Sequence, residues 1–293
     1  MAKLQKEKLI DTIEVTEVSR ETGEVVTYTK NVYDKQIHDE NVKLILSEKE
    51  LHQYINEEIG HFFFLFYKKL EKVDMQDQFK LRFVYLSSFI NYDSGELVDK
   101  IGREKVKLSF DGIREILNLS VRETRATMKA FCDNKLITKD GIYYKVNSEF
   151  SIKGKNKNVK NNCTRVFINT IKNLYMGTKS NNHKQLYIFF KLLPYVNLQY
   201  NIITKNVHTE IHSEIEPLNM KDIAEILGID KTHSSRLYKT LKKFTINDDY
   251  IICQHEVNNS IAYSINPRLY YMGTQIDKLK GIQVIFDIAK DKK

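Results

Sequence analysis

The sequence predicts a mainly helical α+β protein in which one helical unit occurs twice. Three observations carry that expectation. The segment DIAEILGIDKTHSSRLYKTL, Asp222 to Leu241, has an imperfect relative about 110 residues upstream, GIREILNLSVRETRATMKAF, Gly112 to Phe131. Each copy reads as a short apolar-periodic helix, a tight turn and a second, more basic helix. Each is also preceded by an apolar helix and followed by two β-favouring runs around a turn, so the repeat has the size of a domain.

In chain order, TIEVTEVSRETGEVVTYTKNVY reads as a hairpin whose Glu21-Thr22-Gly23-Glu24 turn separates two strands. A long helix, roughly Ser47 to Val73, is expected next, with Ser47 and Glu50 as a capping box. HFFFLFYKKL, from His61, puts five consecutive large apolar residues on that helix, which also carries Tyr54, Ile55 and Ile59. One helix face cannot hide them all in a small domain. They point either to burial against the first repeat or to an intramolecular core with a homodimer or partner contact through this helix. Residues 1–76 therefore form a hairpin-and-helix extension.

Residues 77–154 hold the first copy. LRFVYLSSFI from Leu81 is its leading helix; Ile113, Ile116 and Leu117 share one face of the next; Asn118 suits a left-handed turn. Ser120 and Glu123 form a capping box for the second helix. Asp140-Gly141 then marks a hairpin in CDNKLITKDGIYYKVN. A polar, lysine-bearing connector spans 155–181. The second copy, 182–273, opens with LYIFFKLLPYV, places Ile223, Ile226 and Leu227 on one face, turns at Gly228 and caps its second helix with Asp230. Its hairpin turns at Asn258-Asn259, between Tyr250–Cys253 and Ile261–Ile265. Residues 274–293 are a tail. Paired helices followed by a hairpin are the outline of a winged helix-turn-helix, whose second helix enters the DNA major groove.

On that outline Thr124, Met128 and Phe131 face the core of the first copy, as Ser234, Tyr238 and Leu241 face that of the second. Arg122, Glu123, Arg125 and Lys129 are then exposed on one second helix, and Lys231, Thr232, His233, Ser235, Arg236 and Lys239 on the other. Arg can grip guanine O6 and N7, Glu can accept from cytosine N4, and Ser or Thr serves several bases. Lysines suit phosphate. Lys139 and Lys145 on the first hairpin, Asn258 and Asn259 on the second, and Lys153, Lys155, Lys157 and Lys160 in the connector would add backbone or minor-groove contacts. Two unlike readers in one chain suggest two unlike half-sites about one helical turn apart.

Composition narrows the setting. A net charge of +8 and a pI near 9.0 favour a polyanionic partner. The longest apolar run, Phe62 to Tyr67, is too short to span a bilayer, and MAKLQKEKLI lacks a signal-peptide core, so no membrane association is expected. Cys132, Cys163 and Cys253 are isolated and odd in number, which suits a reducing cytoplasm.

Catalytic patterns are weak. His233 and Arg236, with His255 and Tyr270 downstream, superficially resemble the motif of tyrosine recombinases, but they sit inside the second-helix pattern and no first arginine box accompanies them. His208 and His212 have helical spacing without a zinc-protease Glu or a cysteine pair. No phosphate-binding loop of the form G-x-x-x-x-G-K-[ST] occurs.

SRETGEVV, the apolar helix, the helix-turn-helix and a closing YSINPRLYYMG together resemble the plan of the RepL-type plasmid replication proteins of Firmicutes. Tyr263, Asn266, Pro267 and Gly273 match the closing motif, and Tyr144, Asn147 and Gly154 repeat it more loosely. The resemblance implies a winged-helix initiator that binds an origin and recruits host machinery; the duplicated domain departs from the family's single one. Tandem winged domains also resemble two-domain plasmid initiators and phage regulators. The expectation is a non-enzymatic, cofactor-free and metal-free binder of specific double-stranded DNA. It would be phage- or plasmid-encoded, cytoplasmic and nucleoid- or plasmid-associated, and either a transcription regulator or a replication initiator. Host replication or transcription machinery is the further partner. A protein-interaction module is the alternative, and recombinase-like strand transfer the remote one.

Overall fold

The computed structural model describes residues 9–18, 25–33, 35–101, 103–154 and 163–291. It is a mixed α+β structure with small sheets. Contacts divide it into two compact units, one within residues 1–54 and 274–276, the other within 55–273 and 277–293.

In the first unit β1 (Leu9–Val18) pairs antiparallel with β2 (Val25–Tyr33), as the hairpin pattern predicts. The turn residues Glu21 to Glu24 lie outside the described residues. Helix α1 (Lys35–Tyr54) starts well before Ser47. Ser47 therefore caps nothing: inside the helix its Oγ donates back to Leu44 O at 2.9 Å.

The second unit corrects the long helix. Beyond Tyr54 come a π-helical turn, Ile55–Ile59, and Gly60, whose φ of 116° no helix accommodates. The phenylalanine run then forms strand β3 (Phe62–Leu65), with Phe63 and Leu65 fully buried. A strand covered on both faces reads as a continuous apolar run, which explains why its periodicity resembled a buried helix. Within the unit Phe63, Phe64 and Leu65 are buried, and Phe62 and Phe66 are half-buried.

The chain continues through α2 (Tyr67–Glu71), α3 (Asp77–Ser87), a hairpin of β4 (Val98–Ile101) and β5 (Glu104–Lys107), α4 (Phe110–Leu117), α5 (Val121–Asp133), a hairpin of β6 (Ile137–Asp140) and β7 (Tyr143–Val146), and β8 (Ser151–Ile152). Strand β9 (Thr164–Phe167) and helix α6 (Ile168–Gly177) occupy the later half of the expected connector, and that part is framework rather than linker. Then follow α7 (His183–Leu186), α8 (Ile188–Lys191), α9 (Met220–Ile226), α10 (Ser234–Leu241), a short hairpin of β10 (Thr245–Ile246) and β11 (Asp249–Tyr250), a longer one of β12 (Ile252–Val257) and β13 (Ser260–Ile265), β14 (Tyr270–Tyr271) and α11 (Ile276–Asp291).

The sequence repeat is a repeat of backbone hydrogen bonds. Leu97 N donates to Tyr144 O at 3.1 Å, and Ile203 N to Tyr263 O at 2.8 Å. Leu108 N reaches Leu97 O as Leu218 N reaches Ile203 O, both at 2.9 Å. Val146 N meets Gly95 O, and Ile265 N meets Asn201 O. The closing asparagines act alike. Asn147 Nδ2 donates to Lys135 O and its Oδ1 accepts from Glu149 N; Asn266 Nδ2 donates to Tyr250 O and its Oδ1 accepts from Arg268 N. The closing glycines are both crowded, but differently: Gly154, at φ 136°, lies against the Asp93 carboxylate, and Gly273 lies against the Tyr271 hydroxyl.

Each copy contributes its opening and closing strand to one sheet, ordered β14-β9-β3-β8. The order is unchanged when β3 is exchanged with β9 and β8 with β14. Register agrees: Phe64 and Leu65 face Ile152 and Ser151, just as Arg165 and Val166 face Tyr271 and Tyr270. In the central antiparallel pair, Phe63↔Val166 and Leu65↔Thr164 then interchange about Phe64↔Arg165. The four strands are thus related by a local pseudo-twofold through that residue pair. One continuous hydrophobic cluster, running from Phe63 to Tyr270, serves both, so the expected domains 77–154 and 182–273 share a core. No helix among the described residues is long and apolar enough to cross a membrane.

Asn266 is 2% exposed whereas Asn147 is half-buried. Asn266→Ala should therefore cost about 2 kcal/mol in chemical denaturation and Asn147→Ala nearer 1. Equal and negligible losses would refute the structural role of the pair.

Candidate nucleic-acid interface

Both helix pairs are built by local chemistry. Ser109 Oγ accepts from Gly112 N to start α4, and Asn219 Oδ1 accepts from Lys221 N and Asp222 N to start α9. Asp222 completes a capping box there that the sequence reading missed. The turns match: Leu119 N donates to Arg114 O and Ile229 N to Ala224 O, with Asn118 at φ 50° and Gly228 at φ 70°. Ser120 and Glu123 form the expected capping box of α5. Asp230 caps as expected, but over a 3-10 turn, Lys231–His233, that precedes α10.

The exposed faces fall where the helical pattern puts them. Thr124, Met128 and Phe131 are buried, with Thr127 added; in the second copy Ser234 and Leu241 are buried, Leu237 joins them and Tyr238 is half-buried. Arg122, Glu123, Arg125 and Lys129 are exposed on α5, as are Lys231, Thr232, His233, Ser235, Arg236 and Lys239 on or before α10.

Their partners sort them. Arg122, Arg125, Arg236 and Lys239 have no ion pair among the described residues. Lys129 pairs with Asp133 at 2.7 Å, Lys231 with Glu225 at 2.9 Å and Lys145 with Asp140 at 2.7 Å; in each case the carboxylate hydrogen bond raises the lysine's pKa. Exposed pairs of this kind are weak enough to exchange for phosphate. Thr232 is committed to Asp230 through both N and Oγ1. Glu123 is committed as well. Besides the cap, its carboxylate stands 3.7 Å from the buried Arg82 guanidinium, which also donates to Thr127 Oγ1. Asn258 does not present a free amide at the hairpin tip, because its Nδ2 donates to the carbonyls of His212, Ser213 and Ile215. Asn259 and Lys139 are exposed.

Three lysines that sequence reasoning passed over join Lys153. Burial holds Lys153 below the ordinary ammonium range, and neighbouring Lys172, Lys100 and Lys105 push it further. Lys105 is tethered to Asn91 Oδ1 at 2.9 Å, and the Lys172 ammonium lies 3.7 Å from the centre of the Phe89 ring. Only the fold collects these positions, so no local pattern reveals them. Lys155, Lys157 and Lys160 lie outside the described residues.

Behind α5 sits a buried aromatic and polar seat. Tyr85 and Tyr175 stack at 3.8 Å, and their hydroxyls donate to Ile116 O and Leu117 O at the end of α4. His183 packs on Tyr175 and bonds Thr178 O. Burial, then the Arg82 charge, lowers the His183 pKa.

Of the catalytic patterns, Tyr270 is fully buried with its hydroxyl donating to Phe189 O, and His208 and His212 lie in separate turns rather than on one helix. Among the described residues no three His, Cys, Asp or Glu side chains converge as metal ligands. Comparison of the chain with family models, curated proteins and solved structures found no match.

Glu123→Ala should destabilise the fold by about 1–2 kcal/mol, by loss of the cap and of the carboxylate beside Arg82, with Glu123→Gln milder. Unchanged stability would make Glu123 a free surface group. His183 has a depressed folded-state pKa, so its neutral form stabilises the fold above the ordinary value of 6.5, and that contribution is lost as pH falls below it. His183→Gln should flatten this part of the pH–stability curve; an unaltered slope would place the acid sensitivity elsewhere.

Proposed function

We propose that this chain is a non-enzymatic protein that binds specific double-stranded DNA through two winged helix-turn-helix units, as a transcription regulator or replication initiator of a phage or plasmid in the bacterial cytoplasm. The observation that carries the reading is the twice-used framework of capped helix, left-handed turn, second helix and hairpin, with unpaired arginines on both second helices. Second helices of this construction fit the major groove, and arginine is the residue best suited to read guanine there.

The pseudo-twofold adds an orientation. Two readers that follow the twofold of the strands meet DNA in opposite senses, so the favoured target is an inverted pair of half-sites. The half-sites differ in sequence because the readers do. At equivalent positions of the 110-residue repeat, Lys129 matches Lys239, but Arg122 stands opposite Thr232, Arg125 opposite Ser235 and Ala126 opposite Arg236. Lys153, with Lys100, Lys105 and Lys172, supplies a cationic patch suited to phosphate.

Fluorescence anisotropy with duplex DNA tests these roles. Arg236→Ala should weaken specific binding by about 1–3 kcal/mol and relax one base position. Lys153→Ala should lower affinity on all sequences alike and reduce the salt slope by about 1. Arg236→Ala with unchanged affinity and preference would remove α10 from the interface.

A further inference from the structure

A cavity of about 560 Å³ opens between the C-terminal end of α10, strand β12 and helix α11. The size is that of a small-molecule site. We propose that it binds a small aromatic carboxylate, held by the Lys242 ammonium against an apolar wall of Ile285 and Ile288. Lys242 caps α10, and its Nζ lies 4.3 Å from the centre of the Tyr250 ring and 5.8 Å from that of Tyr238. Those rings fix the ammonium electrostatically but supply none of the acceptors that its three N–H groups require. No carboxylate among the described residues reaches it within ion-pair distance. Glu256, the acidic residue of the lining, is exposed and makes no pair with it.

The remaining walls choose the body of the ligand. Ile285, Ile288 and Ala289 of α11 and Val257 of β12 form an apolar side that suits a flat hydrocarbon, and His212, Gln254 and Glu256 make the rest of the lining polar. His255 is held by Ser264 Oγ at 2.7 Å, and burial lowers its pKa, so it presents a neutral, oriented ring. Cys253 is a buried thiol pushed up to about 12, which makes it part of the wall and not a nucleophile. Tyr238 and Lys242 belong to the second helix of the C-terminal copy, so an occupant ties that helix to β12 and α11. The binding claim stands by itself; only its effect on DNA rests on the function proposed above.

Calorimetric titration of the full chain with 2-naphthoate, with 2-naphthol and acetate as controls, tests the site. Saturable binding of 2-naphthoate is expected, with both controls at least about tenfold weaker. Lys242→Met, which keeps the aliphatic stem, and Ile288→Glu, at a position 51% exposed, should each weaken it by about tenfold or more. The proposal is overturned if 2-naphthoate does not saturate, if 2-naphthol binds equally well, or if neither variant changes binding. DNA affinity measured with and without 2-naphthoate then reads the coupling to α10. Failure to bind any DNA would sink the proposed function while leaving the titration result intact.

Discussion

The antiparallel pairing of β3 with β9 about Phe64 and Arg165 is the constraint on which the second unit depends. Each strand has only four residues and would otherwise expose a row of unpaired backbone groups. Joined to each other, and flanked by β8 and β14, they become the interior of one sheet. Phe63, Leu65 and Val166 go to zero exposure in the process. At about 1.5–3 kcal/mol for each fully buried large apolar side chain, separating the copies would forfeit much of a domain's usual stability. The two copies are therefore joined through a ladder register and a shared core, not only through a linker.

The copies share a backbone plan but seat their second helices differently. Helix α5 rests on charge and aromatic contacts: Arg82 reaches Glu123 and Thr127, and the Tyr85–Tyr175 stack holds the end of α4. Tyr175 belongs to α6, the helix that follows β9, so chain from the expected connector helps to hold the helix pair of the first copy. Helix α10 is seated mainly by aromatic contacts. Tyr238 packs edge-on against Tyr263, and Lys242 opens onto a cavity. One second helix is clamped by buried polar contacts, and the other borders space that a ligand can fill.

The sequence showed several elements whose chemistry is local, the Ser47–Glu50 box being the exception. Ser120 with Glu123, Asn118, Gly228 and Asp140-Gly141 each declare a cap or turn within four residues, and the structure has each of them. The N-terminal part misled because a phenylalanine run lacks a period: buried on both faces, a strand and a helix look alike, and Gly60 was the signal for a break. Strand β9 was missed for a related reason. It is four residues beside a polar tract, and its partners lie about 100 residues away in both directions. Side-chain commitments were equally out of sight. Asn258 and Glu123 read as exposed polar groups, yet one holds a loop and the other faces a buried arginine across space.

The pseudo-twofold converts the idea of two readers into a statement about one DNA target. Selection of bound duplexes from a random pool, with the intact chain at near-physiological salt, is its most direct test. The account predicts a motif of two unlike half-sites in inverted orientation at fixed spacing, about one helical turn apart. Enrichment of direct repeats, of a single half-site, or of no motif would contradict it.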